Sequence, residues 1–593
     1  MAGKPWSFFV HKAVDRPQPQ PQARVEGMPE VRRLRVFTQD PSVARLDGAI
    51  TTLQIPFEPL DPGPAGAYFV VTDRDEDEQR EYGPVDLEKP AILMRDGLDP
   101  STTDRAFACQ MTYAVAMETY DRFTRALGRD SGFGPIPHED RRLRLVPRAF
   151  NDANAYYDRE AGAVLFGWDT AKEFAQGRSQ PGGNVFLCLS RDIIAHEVTH
   201  AMLDGLRPNF LRPTHADVSG LHEGISDLVA IFLHFTQHDI VAMAIESTQG
   251  SPYGDQLSSI GHQFGFDLID GRNPLRTAVH ATALDGQPLP AELRYRPEME
   301  EHDLGSVLVS AVFEAYRRVF ERQTRTLKRV LATYQGRLPS EGIDLLAAKA
   351  SRLAGQFLNL VIRAIDYCPS LHCSFGEYLR AMVTGDFDLI PADPWAFREA
   401  LVTSFRRFGV LVPDVEDLSE KSLLWRHPRP GISVDALRFD RLNLDCNEGL
   451  LQWNRDRTHQ REAAAALGRA ICNGDSGREL GLVEPGGSVL PISILSLRTL
   501  RRVAPDGGVS FDLVAEVAQK RKVREGFFFG GCTLVIGPGG QIRYAVVKDV
   551  DSRRRLKAQR DWLRTQPDDV REAAWAEHSG VAAARLRRIH LEK

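Results

Sequence analysis

Apolar residues recur at helical spacing along 103–127, a stretch without Pro or Gly, and predict a long buried helix. A second such segment runs through Ile193 to Leu203. There Ile193, Ile194 and Ala195 precede a polar turn and Ala201, Met202 and Leu203 follow it, so this helix is apolar on several sides and is expected to be central. The same periodicity returns in VLVSAVFEAYRRVFERQ, GIDLLAAKASRLAGQFLNLVIRAI, FGEYLRAMV and PWAFREALVTSFRRFGV. Strand-like runs precede this helical block: RLRVFT, AITTLQIPF and AYFVVT, then RRLRLVPRAF and AVLFG on either side of NAYY. Past 412 the pattern changes again. HQREAAAALGRAIC and the basic DSRRRLKAQRDWLR read as helices, while VLPISILSLRTL, VSFDLVAEVA, GGCTLVIG and QIRYAVVK read as strands of an antiparallel sheet with Gly-rich turns.

These patterns give an α+β fold class in five stretches: a flexible Pro/Gln-rich tail over 1–30, a β-rich lead-in over 31–102, a mixed segment over 103–240, a helical segment over 241–412 and an accessory α+β module over 413–593. The PQPQPQ run favours extended backbone over packing. A formal charge of -6 and a pI near 6.3 give no general attraction to nucleic acid or to an anionic membrane, and neither is expected as a partner. The basic helix past 550 is read as a solvated face. Seven scattered cysteines without a CxxC argue against a disulfide framework and against a thiolate metal site. With no apolar run of membrane-spanning or signal-peptide length, the chain is expected to be soluble and cytoplasmic.

The chemistry concentrates in SRDIIAHEVTHAMLDGLRPNFLRPTHADVSGLHEGISD, residues 190–227. With about 3.6 residues per helical turn, His196 and His200 share one face, so two imidazoles can converge on one ion with Glu197 near its open side. A catalytic zinc takes three protein ligands and keeps a further position for water. Glu223 is the best candidate for the third ligand. It opens the helical ExxxD of EGISD, on a segment that can return antiparallel to the first. Asp227, one turn later, can accept the outer N–H of a ligand histidine. An amphipathic helix with two surface histidines is the competing reading, and the apolar residues around them argue against it.

HEVTHAMLD followed by EGISD, and preceded by NAYY and the strand ending AVLFG, resembles the thermolysin family of zinc metallopeptidases in order and separation. The resemblance covers about 103–412. It implies a metallopeptidase core with a β-rich N-terminal lobe, a central HExxH helix and a helical C-terminal lobe, with 413–593 as an addition. It implies His196, His200 and Glu223 as ligands of one zinc ion, Glu197 as general base, Asp227 behind a ligand histidine, and Asp204 as a structural acid. In that family the strand corresponding to NAYY binds substrate backbone, which assigns Asn154 and Ala155 to that task; on the residues alone a plain hairpin stays open. GRNPLRTAVHA and EEHDLGSVLVSAVFEAYRRVF resemble the stretches that carry an arginine on a substrate carbonyl, here Arg276, and an oxyanion-stabilising histidine, here His302. A surface salt bridge for Arg276 and a capping or core role for His302 stay open beside these.

The expected activity is a zinc endopeptidase acting on a peptide or protein, with Glu197 taking the proton of the attacking water and passing it to the leaving amine. The alternative is a catalytically weak or inactive thermolysin-like scaffold that serves as a protein-interaction module, its 413–593 partner unspecified. Retention of Glu197 and His302 favours the enzyme. Three departures from the family bear on this. Neither a signal nor a pro-segment is evident, which points to a regulated intracellular peptidase. Asp192 matches an acidic calcium ligand, yet His234 stands where a second acid belongs, so the paired calcium site is expected to be absent or rebuilt. The loop RPNFLRPTHADVSG lacks the tyrosine that assists the oxyanion histidine.

Overall fold

The computed structural model describes residues 6–14, 27–41, 50–137, 141–172, 179–253, 257, 259–260, 267–268, 276–277, 294–333, 337–429, 431–444, 453, 456–472, 474–503 and 509–578. They form a mixed α+β structure. Helix α1 (Arg105–Leu127) begins where Asp104 accepts the Ala106 N–H and ends on Gly128, whose φ of 67° turns the chain out in the left-handed region. Between these caps it is almost wholly buried, as its unbroken apolar periodicity requires. It packs against α2 (Arg191–Leu206), the HExxH helix, and against the strands Val31–Phe37, Ile50–Pro56 and Phe69–Val71. A mixed sheet runs in the order Asn184–Phe186, Ala163–Thr170, Leu143–Asn151, Phe69–Val71. The short strand Ala155–Asp158 folds back antiparallel on Ala163–Thr170.

After α2, a turn of 3-10 helix at Pro208–Leu211 leads into α3 (Ala216–Phe235). The helical block follows with α4 (Glu301–Leu331), α5 (Ser340–Ala364), α6 (Phe375–Phe387) and α7 (Phe397–Arg407). α3 and α4 meet backbone to backbone. A Cβ at Gly305 would lie 3.0 Å from the Glu223 Cβ and 3.1 Å from the Gly224 nitrogen, and one at Gly224 would lie 3.1 Å from the Gly305 oxygen. Only residues without a side chain permit this approach, and it carries the first turn of α4 to the middle of α3.

The C-terminal sheet runs in the order Phe8–Val10, Ile492–Val503, Val509–Val523, Gly526–Ile536, Ile542–Lys548, antiparallel except for its first strand. That first strand departs from the tail expected over 1–30. Phe8–Val10 adds parallel to Ile492–Ile494 and completes an edge that would otherwise expose unpaired backbone groups. Gly468, on α8 (Arg457–Ile471), leaves room for the Phe8 ring, which would stand 2.3 Å from a Cβ there. The PQPQPQ run itself lies outside the described residues.

Alternate residues of the central strand face opposite sides. Leu513, Ala515 and Val517 enter one apolar core with Trp453 and Leu467, while Val514 joins the core that also holds Val115 of α1, Ile194 of α2 and Ile225 of α3. The segment past 412 therefore has an apolar core of its own and also sends Leu500, Val514 and Val535 into the core that holds the HExxH helix. Buried ion pairs strengthen the seam. Arg502 bonds Asp388 at 2.6 Å and also Asp512; Lys548 bonds Glu377 at 2.6 Å, and Arg207 bonds Glu516 at 3.1 Å. Among the described residues no single helix is long and apolar enough to cross a membrane. The bent pair of α3 and the short helix His238–Thr248 meets the length and composition together, but α3 is buried almost throughout.

Candidate metal centre

The local geometry of α2 sets the site. His196 and His200, one turn apart, bring their Nε2 atoms to 2.9 Å. α3 crosses them in the opposite direction, since His196 meets Asp227 whereas His200 meets His222 and Ser226. Glu223 lies between these contacts. Its Oε2 is 3.5 Å from His196 Nε2 and its Oε1 is 3.5 Å from His200 Nε2. Donors that share one zinc at about 2.0–2.2 Å in tetrahedral array stand roughly 3–3.5 Å apart, so the triangle has the size the ion requires. The donor chemistry fits as well, with two imidazoles, one carboxylate and no thiolate. His196, Glu197 and His200 also form a buried group whose ligand atoms lie within 4.8 Å of one another.

Each of these side chains is held from behind. His196 Nδ1 is 2.7 Å from Asp227 Oδ1, which fixes the ring and leaves Nε2 for the cluster. His200 Nδ1 is 2.7 Å from His222 Nδ1 and 3.2 Å from Ser226 Oγ, whose hydroxyl donates to the His222 carbonyl at 3.0 Å. If His200 ligates through Nε2, its proton sits on Nδ1, and both His222 and Ser226 act as acceptors. Neither was singled out from sequence. Their signal was present only as spacing: His222, beside Glu223, and Ser226, one turn later and next to Asp227, share a face of the helix that returns antiparallel past the second histidine.

Glu197 takes a different attachment. The Tyr157 N–H donates to its Oε2 at 3.1 Å, so the edge strand Ala155–Asp158 runs directly alongside the cluster. Backbone direction alternates along a strand, so the Ala155 N–H points the same way and is met by Asn154 Oδ1 at 2.8 Å. Tyr157 also donates its hydroxyl to Asp204 Oδ2 at 3.0 Å, and Arg159 Nε meets the same oxygen at 3.1 Å. Asp204 thereby ties α2 to the edge strand. Asp192, at the start of α2, shares the Ser190 hydroxyl with Asp40, a residue far away in sequence.

His302 comes to the cluster from the first turn of α4. Its Nδ1 is 3.0 Å from Glu223 Oε2, and its backbone N–H is bonded by Glu300 at 2.9 Å, which caps the helix. Glu300 therefore engages the His302 backbone, while the ring faces the carboxylate donor. Burial opposes ionisation of Glu223, yet the charges of His302 and His200 and the hydrogen bonds from His196 and His302 hold its pKa well below the usual carboxylate range. The backbone of Arg276 pairs with Ile260; its side chain lies outside the described residues. No family model matches the sequence, and no curated protein does.

Proposed function

We propose that the chain is a zinc-dependent endopeptidase with a thermolysin-like core. One observation carries the reading: the Nε2 atoms of two histidines one helical turn apart face both oxygens of a carboxylate from a second helix, with the glutamate between those histidines beside them. His196, His200 and Glu223 would hold the ion. When bound, it supplies Lewis acidity toward a carbonyl oxygen and lowers the pKa of a coordinated water to about 7.

The chain's own groups do the remaining work. Glu197, with Oε2 tied to the Tyr157 N–H, accepts the proton of the attacking water and returns it to the leaving amine. The edge beginning at Asn154 and Ala155 takes an extended substrate by strand addition, the Ala155 N–H exchanging its bond to Asn154 Oδ1 for one to the substrate. His302 stabilises the oxyanion as the carbonyl becomes tetrahedral.

Metal analysis of the purified chain, paired with cleavage of a mixed peptide library with and without chelator, tests the reading. The expected result is one zinc per chain and chelator-sensitive cleavage. Glu197→Gln should keep the metal and lose about a hundred- to ten-thousand-fold in kcat. Metal at unit stoichiometry with no cleavage would support the scaffold reading instead.

A further inference from the structure

Between the C-terminal end of α2 and the C-terminal sheet lies a cavity of about 530 Å³ that none of His196, Glu197, His200 and Glu223 touches. Its volume suits a small organic ligand. Cations crowd its wall, and most are matched. Arg129 binds Asp366 through bonds of 2.7 and 2.8 Å, Arg159 meets Asp204 at 3.1 Å, and Lys520 meets Glu577 at 3.7 Å. Arg498 reaches Glu516 at 3.6 Å, but that carboxylate also serves Arg207 at 3.1 Å, one anion for two guanidiniums.

Arg212 is the exception. It is only 2% exposed, yet it forms no ion pair among the described residues. Its guanidinium donates to the Ala573 and Ala576 carbonyls at 3.3 and 2.5 Å and lies 4.0 Å from the Phe529 ring centre, while its Nε has no hydrogen-bond partner among the described residues. Burial, with Arg159 nearby, pulls its pKa down to about 10. Acids on the wall do not relieve it. Glu516 and Glu577 are already engaged, and Asp130 accepts the Tyr68 hydroxyl at 3.3 Å with its own pKa raised by burial. A buried cation with no counter-charge among the described residues, at the wall of an open cavity, is a demand for an anion.

We propose that this cavity binds an organic anion, a carboxylate on an apolar body, with Arg212 as its charge partner and Phe133 and Phe529 as apolar walls. The site stands apart from the peptidase reading and does not depend on it.

Calorimetric titration of the full chain with naphthoate and with uncharged naphthamide tests the proposal, using wild type, Arg212→Gln and Leu495→Trp. Leu495 is a half-buried wall residue, so a larger ring there narrows the cavity without removing any of its cations. Wild type is expected to bind naphthoate once per chain and naphthamide about tenfold or more weakly, as the loss of a charged hydrogen bond implies. Arg212→Gln should weaken naphthoate by a similar factor and leave the amide unchanged; Leu495→Trp should weaken both. Should Arg212→Gln fail to fold, Leu495→Trp and the acid-to-amide ratio of the wild type decide alone. The proposal is overturned by equal binding of acid and amide, by no binding to wild type, or by naphthoate binding that Leu495→Trp leaves intact.

Discussion

His222 is a neighbour of Glu223 in sequence, but its ring turns to His200 and backs that histidine together with Ser226. The two candidate imidazole ligands are thus supported differently, His196 by a carboxylate and His200 by an imidazole and a hydroxyl. Loss of such support commonly weakens metal binding about 10- to 100-fold. His222→Ala is expected to show that loss in zinc competition against a chelator at fixed pH, and unchanged affinity would mean that Ser226 suffices. Asp217 acts on the same helix from its first turn. It accepts the Tyr295 hydroxyl at 2.6 Å and the Phe375 N–H at 2.8 Å, and it lies 3.4 Å from His215 Nδ1. Burial works against its charge, but the His215, Tyr295 and Phe375 contacts together hold its pKa below the ordinary 3.8. A depressed folded pKa contributes stability that is present above the unfolded pKa and lost as pH falls through the folded one. Asp217→Asn should therefore cost about 1–3 kcal/mol in urea unfolding at pH 7, with the difference from wild type shrinking once pH drops below about 4.

At the scale of elements, the site depends on how closely three helices approach. The spacing of His196 and His200 belongs to one helix and follows from its pitch. Bringing Glu223 and His302 to the same point requires α3 and α4 to touch at Gly224 and Gly305, where a Cβ would press on Glu223 itself. Gly305→Val is expected to cost about 1–3 kcal/mol as an overpacked contact, and to separate Glu223 from the histidines. The informative readout is the pair of measurements. A variant that still unfolds cooperatively, at a lowered temperature, and has greatly reduced zinc affinity supports this role for the glycine contact, whereas full affinity would show that α3 keeps its position without it. Element identity was largely readable: the long α1, the HExxH helix, the helical block and the antiparallel C-terminal strands all carry clear periodicities. The parallel addition of Phe8–Val10 was not, because three residues hold no period and their pairing is decided by an open edge more than 480 residues away in the chain.

For the whole molecule, the C-terminal sheet is a wall of the core. Leu500, Val514 and Val535 belong to the buried apolar cluster that also holds the HExxH helix, and Arg207, just past that helix, is buried against Glu516 and Thr533 of the sheet. A chain ending at 412 would expose that apolar surface and strand Arg207 without its partner, so it is expected to lack a cooperative unfolding transition by circular dichroism. Arg207→Met in the full chain should cost roughly 1–3 kcal/mol by leaving the buried Ile365 carbonyl without its donor, Glu516 keeping Arg498. A stable, cooperatively folding 1–412 fragment would contradict this. Local chemistry is what the sequence determined by itself: helical pitch aligns His196 with His200 and makes Glu197 their neighbour, and apolar periodicity buries the helix that carries them. Tertiary structure alone decided which side chains stand behind those donors, that the C-terminal sheet contributes to the core of the HExxH helix, and that Arg212 is buried beside a cavity with no ion-pair partner among the described residues. These depend on the register between elements distant in the chain, and such register is set by packing and backbone pairing across the fold, which no short window of residues contains.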